Sequence, residues 1–422
     1  MLLICSDSHR YDRAFGPSGA RLMPNLGALA RDSVVYTHAY SNASWTLPSI
    51  VSTLTGVFPR YHGTGRRLKS LERSELENRG EVPVGQFRAA WGENYYFFSS
   101  YPDQLLTIAE RVQRIGYATA AVVSNYLYIS SGLASDGFDF VIDSHAVPGR
   151  FVNGLALALL EELSRNRPLL LLVHYMDVHQ YRFGPKSRGG SPPSGQDLTA
   201  RYETTVRATD ANLAALLQGW ERAMGSRESL VAFYSDHGEH LREAGSELSG
   251  HGNSMDEVLL HVPLVVRYPA SLGVAPGEDP SPVSLVDLVP TVLDALGAPT
   301  RDAGLHGTSL LRLERGGSGV ERHIFADYQL AGDELSSVRA GHHKLLVNVA
   351  ADTRELIDTG RISAGVPEAQ ARAANRAAES ELVEAFEAYA RRAAASSSGL
   401  KSEQVVDHTE LEERLRELGY VE

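Results

Sequence analysis

The feature that most constrains this chain is the alternation of short, wholly apolar runs with longer stretches of helical period. Leu169-Leu170-Leu171-Leu172-Val173 carries no polar residue, and neither does Leu2-Leu3-Ile4-Cys5. A strand without polar alternation is buried on both faces, as in a parallel sheet covered by helices. The pattern therefore predicts an α/β fold: a central, mostly parallel sheet flanked by helices. Leu2 to Cys5, Val34 to Thr37, Thr119 to Val123, Leu169 to His174, Leu230 to Tyr234 and Val262 to Tyr268 read as strands. Leu26 to Arg31, Leu47 to Leu54, Leu106 to Arg114, Val152 to Ser164, Tyr202 to Met224 and Val286 to Leu296 read as helices. In Tyr202 to Met224, the residues Val206, Leu213, Leu216 and Leu217 fall near one stripe. Gly56, Gly116 and Gly297 supply stops.

Residues 64–100 are polar and aromatic without a clear period and read as an insertion or flap, and residues 184–197 read as a loop. After about residue 320 the texture changes. Ser336 to Arg339 and His343 to Val349 suggest a hairpin, Ala369 to Ala395 a helix, residues 396–399 a hinge, and Glu410 to Leu418 a last short helix. The expected division is a large α/β domain over residues 1–320 and a smaller α+β part over 321–422.

Lys and Arg number 40 and Asp and Glu 52, a net charge of −12. That balance argues against non-specific binding to nucleic acid or to an anionic membrane. A single cysteine, Cys5, excludes an internal disulfide and a Cys-rich zinc site, and its place in a strand makes it a core residue. No apolar run approaches the roughly 20 residues of a membrane span. The N-terminus has no basic region, long apolar stretch or cleavage site, so the expectation is a cytoplasmic protein. Leu2 already opens a strand, so the natural start can lie upstream.

In open α/β sheets, functional residues gather at the carboxyl ends of strands. Asp7 follows the first strand. His174, Asp177 and His179 follow the strand at 169–173, and Asp236 and His237 follow the one at 230–234. Oxygen ligands with imidazole suit a divalent metal, although one Asp at a strand end is often only a helix cap. Thr46 opens a helix, where backbone N–H groups favour an anion, and its plain alternative is an N-cap. His251 lies between Gly250 and Gly252, either as backbone close to a ligand or as a surface-loop histidine.

The order of these pieces resembles the sulfatase family of the alkaline phosphatase superfamily. The resemblance rests on Asp7-Ser8-His9-Arg10, Met23-Pro24-Asn25-Leu26, Trp45-Thr46-Leu47-Pro48-Ser49 and Leu54-Thr55-Gly56-Val57-Phe58-Pro59. It continues through Ser235-Asp236-His237-Gly238-Glu239, Gly250-His251-Gly252, Val262-Pro263-Leu264 and the terminal Leu415-Arg416-Glu417-Leu418-Gly419-Tyr420-Val421. It implies that Asp7, Thr46, Asp236 and His237 are metal ligands. It also implies that Thr46 is the nucleophile and that His179 and His251 bind substrate and serve catalysis, with Asp177 and His174 behind them. Four positions depart from the sulfatase pattern. Sulfatases convert a Cys or Ser to formylglycine at the position of Thr46, and a secondary alcohol cannot give that aldehyde. Their following Arg is Ile50 here, a second Asp is Ser8, and Asp-Asn is Asp236-His237. The imidazole favours Mn²⁺ or Zn²⁺, with Ca²⁺ as the alternative.

The resemblance thus implies a metal-dependent hydrolase of a small anionic ester acting through a covalent Thr intermediate. Phosphodiester or phosphonate is favoured, and a sulfuric ester is the other option. A phosphoryl-group transferase and a non-catalytic binding protein on the same fold are the alternatives.

Overall fold

The computed structural model describes residues 1–72, 86–91, 94–99, 101–102, 104–133, 137–144, 147–165, 167–183, 195–243, 248–300, 304–314, 322–327 and 334–396. Eight strands form the large sheet: β1 (Leu2–Ser6), β2 (Val34–Tyr40), β3 (Ala118–Val123), β4 (Phe140–Asp143), β5 (Leu169–Tyr175), β6 (Val231–Tyr234), β7 (Leu264–Arg267) and β8 (Gly277–Ser284). Their order is β8-β2-β7-β6-β1-β5-β3-β4. Only β7 runs antiparallel to its neighbours β6 and β2. The other pairings are parallel, so seven strands share one direction and their carboxyl ends share one edge.

Side chains alternate between two buried clusters. On β1, Leu3 and Cys5 enter one and Leu2 and Ile4 the other. On β5, Leu170 and Leu172 oppose Leu169, Leu171 and Val173 in the same way. The first cluster is closed by α2 (Thr46–Thr55), α3 (Ile108–Gln113) and α6 (Leu288–Ala295). The second is closed by α1 (Pro24–Ala30), α4 (Gly149–Leu163) and α5 (Gly195–Met224). The expected stripe on α5 is the buried one, as Val206, Leu213, Leu216 and Leu217 all pack there. Cys5 is fully buried, and burial pushes its thiol well above the ordinary range. Gly56 ends α2 in the left-handed region (φ 73°), where an L side chain is strained.

The structure extends two expectations and corrects a third. Residues 64–100 contain a three-stranded antiparallel sheet, Arg67–Glu72, Asn94–Ser99 and Gln86–Trp91 in spatial order. Cross-strand pairing set this segment, which single-strand periodicity does not register. The hairpin at 336–349 is part of a four-stranded sheet, β9 (Ile324–Asp327), β10 (Leu335–Ala340), β11 (His343–Asn348) and β12 (Thr353–Asp358). The following helix α7 begins at Arg376, after a short 3₁₀ turn, and runs to Ser396. It packs Leu382, Phe386 and Tyr389 on Val338 and Leu345 of that sheet. Ser396, expected to open the hinge at 396–399, is the last residue of this helix, and the rest of that hinge, the helix at 410–418 and the terminal motif lie outside the described residues. No helix among the described residues is long and apolar enough to cross a membrane.

Beyond β6 a small ladder pairs His240 with Gly250 and Leu241 with Ser249. Buried His240 ties it down, with Nε2 3.0 Å from Ser254 Oγ and 3.3 Å from Asp256 Oδ2, and Nδ1 3.6 Å from Glu243. Burial opposes its charge, but Asp256 and Glu243 outweigh that and push the imidazole up to about 9. An unfolded histidine titrates near ~6.5. The folded value is the higher one, so the pairing contributes fully below about 6.5 and is lost as pH rises through about 9. His240→Gln should therefore lower the urea midpoint at about pH 6, and the gap from wild type should close by about pH 10.

Candidate active site

Five chain segments meet at the carboxyl edge of the sheet. β1 delivers Asp7, β6 delivers Asp236 and His237, and β5 delivers His174 and, just beyond, His179. β3 delivers Asn125, and β2 leads into Thr46. Asp7, Thr46, His174, Asp236 and His237 are fully buried, and His179 and His251 nearly so.

The two carboxylates dominate the electrostatics. Asp7 Oδ1 accepts from Ser8 Oγ (2.8 Å), and Oδ2 accepts from Asn125 Nδ2 (3.0 Å), with His174 Nε2 at 3.3 Å. Asp236 Oδ1 accepts from the Ser8 and His237 backbone N–H groups (3.2 and 3.0 Å), whereas its Oδ2 has no hydrogen-bond partner among the described residues. Ser8 makes both contacts from a left-handed conformation (φ 59°). Burial and then the charge of Asp7 push the Asp236 carboxyl up to about 8. Burial works the same way on Asp7, but the close contact with His174 and the neighbouring imidazoles hold it well below its usual range.

Two buried carboxylates, one with an unpaired oxygen, are a poor resting arrangement for a protein and a good one for a divalent cation. Donor atoms of Asp7, His174 and Asp236 all lie within 4.8 Å of one another. His237 Nε2 lies 3.8 Å from Asp7 Oδ1 and 3.5 Å from Asp236 Oδ2. The oxygen-plus-imidazole donor set fits such an ion.

The Thr46 hydroxyl does not cap its helix. Trp45 takes the N-cap position of α2, and Thr46 is the first helical residue. Its Oγ1 sits 3.1 Å from His237 Nε2. His237 Nδ1 is 2.8 Å from Gly238 O, so Nδ1 carries the proton and Nε2 the lone pair. Burial pulls His237 below its ordinary value and His179 down to about 3. His251 is not a surface-loop residue. It is 1% exposed, with ring centroids 4.3 Å from His237 and 5.2 Å from His179. Its Nδ1 lies 2.9 Å from Glu239 Oε2.

Asp177 lies apart from this group. Its oxygens accept from the Gly149 N–H at the start of α4 (3.0 and 3.1 Å) and from Asn212 Nδ2 (3.2 Å). His174, expected behind the ligands, has its Nε2 directly against Asp7. Asn125 and Glu239 had no expected role. Asn125 follows β3 as Asp7 follows β1, so the strand-end rule would have found it. Glu239 is the fifth residue of the segment Ser235 to Glu239, and only the fold shows what it faces. Burial works against its charge, but Arg182 and then His251 hold the carboxyl far below its ordinary range. Ile50 is buried in the first apolar cluster with Leu47, Val51 and Leu54.

Comparison with known proteins agrees with this architecture. The chain is 32% identical over 207 residues to the steryl-sulfatase of Mus musculus, covering 44% of this chain and 32% of that protein. It spans about a third of the length of the steryl-sulfatases it matches. A solved 2-O GAG sulfatase superposes with a TM-score of 0.69 at 16% identity, over 97% of this chain and 99% of the other. The phosphonate monoester hydrolase of Silicibacter pomeroyi superposes at 0.66 with 17% identity, over 93% and 94%. At those identities the structural likeness is one of fold. The sequence model of the Sulfatase family matches residues 1–298, and the chain belongs to the sulfatase family.

Proposed function

We propose that this chain hydrolyses a small phosphate or sulfate ester with Thr46 as nucleophile and a divalent cation held by Asp7, Asp236 and His237. Phosphodiesters and phosphonate monoesters are the preferred substrates. The observation that carries the reading is the placement of Thr46 Oγ1, 3.1 Å from His237 Nε2 and beside two buried carboxylates. The residue types support the phosphoryl preference. Oxidising a secondary alcohol gives a ketone, so the aldehyde chemistry of formylglycine is closed to Thr46. The position of the accompanying arginine is a buried isoleucine.

A bound cation of this kind lowers the pKa of a hydroxyl and offsets negative charge on ester oxygens. The rest falls to the chain. The first turn of α2 places its positive dipole end at Thr46, which favours the hydroxyl as its oxyanion. Thr46 gives its proton to solvent and its Oγ bonds to phosphorus, the bond from phosphorus to the leaving oxygen breaks, and that oxygen takes the Nε2 proton of His251 in its doubly protonated form. Water then displaces Thr46 Oγ, its proton returns to His251 Nε2, and the acid is released. His179 contacts the bound anion. Burial of all these groups excludes bulk water and strengthens each charge interaction.

The test is turnover of aryl phosphodiester, phosphonate monoester, phosphomonoester and sulfate by metal-stripped protein reloaded with Mn²⁺ or Zn²⁺. Diester or phosphonate turnover should dominate. Thr46→Ala should lose about 10³-fold or more in kcat, and Thr46→Ser should keep measurable activity. Dominant sulfate turnover overturns the phosphoryl preference, and activity surviving in Thr46→Ala overturns the nucleophile. In a separate melting experiment, the cation should raise the Tm of wild type and leave Asp236→Asn unmoved.

A further inference from the structure

We propose that Glu239 is a positioning residue that fixes the tautomer and orientation of His251, and that Tyr181 and Arg182 hold Glu239 for that task. The inference rests on the reading of His251 as the group that serves the leaving oxygen. Glu239 is fully buried, yet both of its oxygens have partners. Oε2 faces His251 Nδ1 at 2.9 Å. Oε1 accepts from Tyr181 Oη at 2.9 Å and from the Arg182 guanidinium, whose Nε in turn donates to Tyr181 Oη at 3.1 Å. A carboxylate can only accept hydrogen bonds, so His251 Nδ1 carries a proton, and any proton exchanged with substrate passes through Nε2. The ring also cannot rotate without breaking a charge-assisted bond in a dry environment.

The backbone is shaped for this contact. The ladder that pairs His240 with Gly250 places Glu239 and His251, the next residue on each strand, at its open end. Gly250 has φ 89°, and a Cβ there would collide with Arg182 Nη2. The glycine thus gives Arg182 the room to reach Glu239. The Glu239 carbonyl is fixed as well, accepting from Arg10 Nη1 at 3.1 Å. The arrangement follows the logic of a carboxylate–histidine pair, in which the acid orients the imidazole and stabilises its protonated form without touching substrate.

A role through His251 makes a prediction that a purely structural role does not. Proton donation matters little when the leaving oxygen is a stable aryloxide and much when it is an alkoxide. The experiment measures kcat/KM on paired aryl and alkyl esters of the same acid for wild type, His251→Ala, Glu239→Gln and Tyr181→Phe. The His251 ring ¹⁵N shifts are read separately in the unliganded protein. Glu239→Gln should lose about 10²-fold or more on the alkyl ester while staying near wild type on the aryl ester. His251 should pass from one tautomer to a mixture. Tyr181→Phe removes one donor and keeps the ring, so it should show the same selectivity to a smaller degree and serves if Glu239→Gln does not fold. If His251→Ala is selective against the alkyl ester but Glu239→Gln and Tyr181→Phe are not, the proposal falls and the reading of His251 stands. If His251→Ala shows no such selectivity, that reading falls. Equal losses on both esters with an unchanged tautomer make Glu239 structural and overturn the proposal.

Discussion

Asp7 and Asp236 stand just beyond the ends of two adjacent parallel strands, and the proximity of these two buried carboxylates organises everything around them. Each buried ion costs several kcal/mol in desolvation, and like charges at this distance add to the cost. The chain offsets part of it with fixed donors: the Ser8 hydroxyl and N–H, the His237 N–H and the Asn125 amide. It does not offset all of it. Among the described residues one Asp236 oxygen has no hydrogen-bond partner, and that carboxyl is pushed up to about 8. What remains is a site whose charge balance calls for a cation. The two apolar clusters on the faces of the sheet provide the rigidity that keeps the two groups together.

Thr46 is tied to the same point through backbone. Ser41, just past β2, and Ser49, in the first turns of α2, both aim their hydroxyls at the Asp236 carbonyl. Ser235 accepts from the His9 N–H and donates to the His237 carbonyl, locking the ends of β1 and β6 together. Thr46 is therefore placed relative to Asp236 and His237 by short hydrogen bonds rather than by a flexible loop. The contact between its hydroxyl and His237 Nε2 follows from that registration. A change at Ser41 or Ser49 acts on the geometry of the site without removing any group that touches substrate.

The fold was legible because its signal is local. Runs such as Leu169 to Val173 read as strands covered on both faces, and the strand-end rule then picks out Asp7, His174, Asp236 and His237 without any contact information. The rest depends on pairing across long sequence distance. The strands at 67–72, 86–91 and 94–99 pair with each other, so their periodicity alone is silent. Asp177 shares a strand end with His174 but turns to the N-terminus of α4, a choice made by α4 and Asn212 rather than by its own neighbours. Glu239 could be read only once the ladder of residues 240–241 and 249–250 brought it to His251. Local sequence alone favours Thr46 as an N-cap, and the extended backbone of Trp45 decides against it.

Ile50 links the packing of α2 to the chemistry proposed for Thr46. The two residues lie four apart, about one helical turn, so they sit on nearby parts of one helix face. In this chain that turn runs from the polar edge into the apolar cluster, where Ile50 packs with Leu47, Val51 and Leu54. An arginine at position 50 would place a cation in that cluster, at a cost of several kcal/mol unless it were paired. The helix is thus built to anchor its own first turn by apolar packing, and it presents the genetically encoded hydroxyl directly. Under the function proposed for Thr46, such a site needs no covalent maturation of its nucleophile. Its reactivity would then depend on how far the surrounding charges stabilise the threonine oxyanion, and the paired carboxylates would set that environment through a cation held between them.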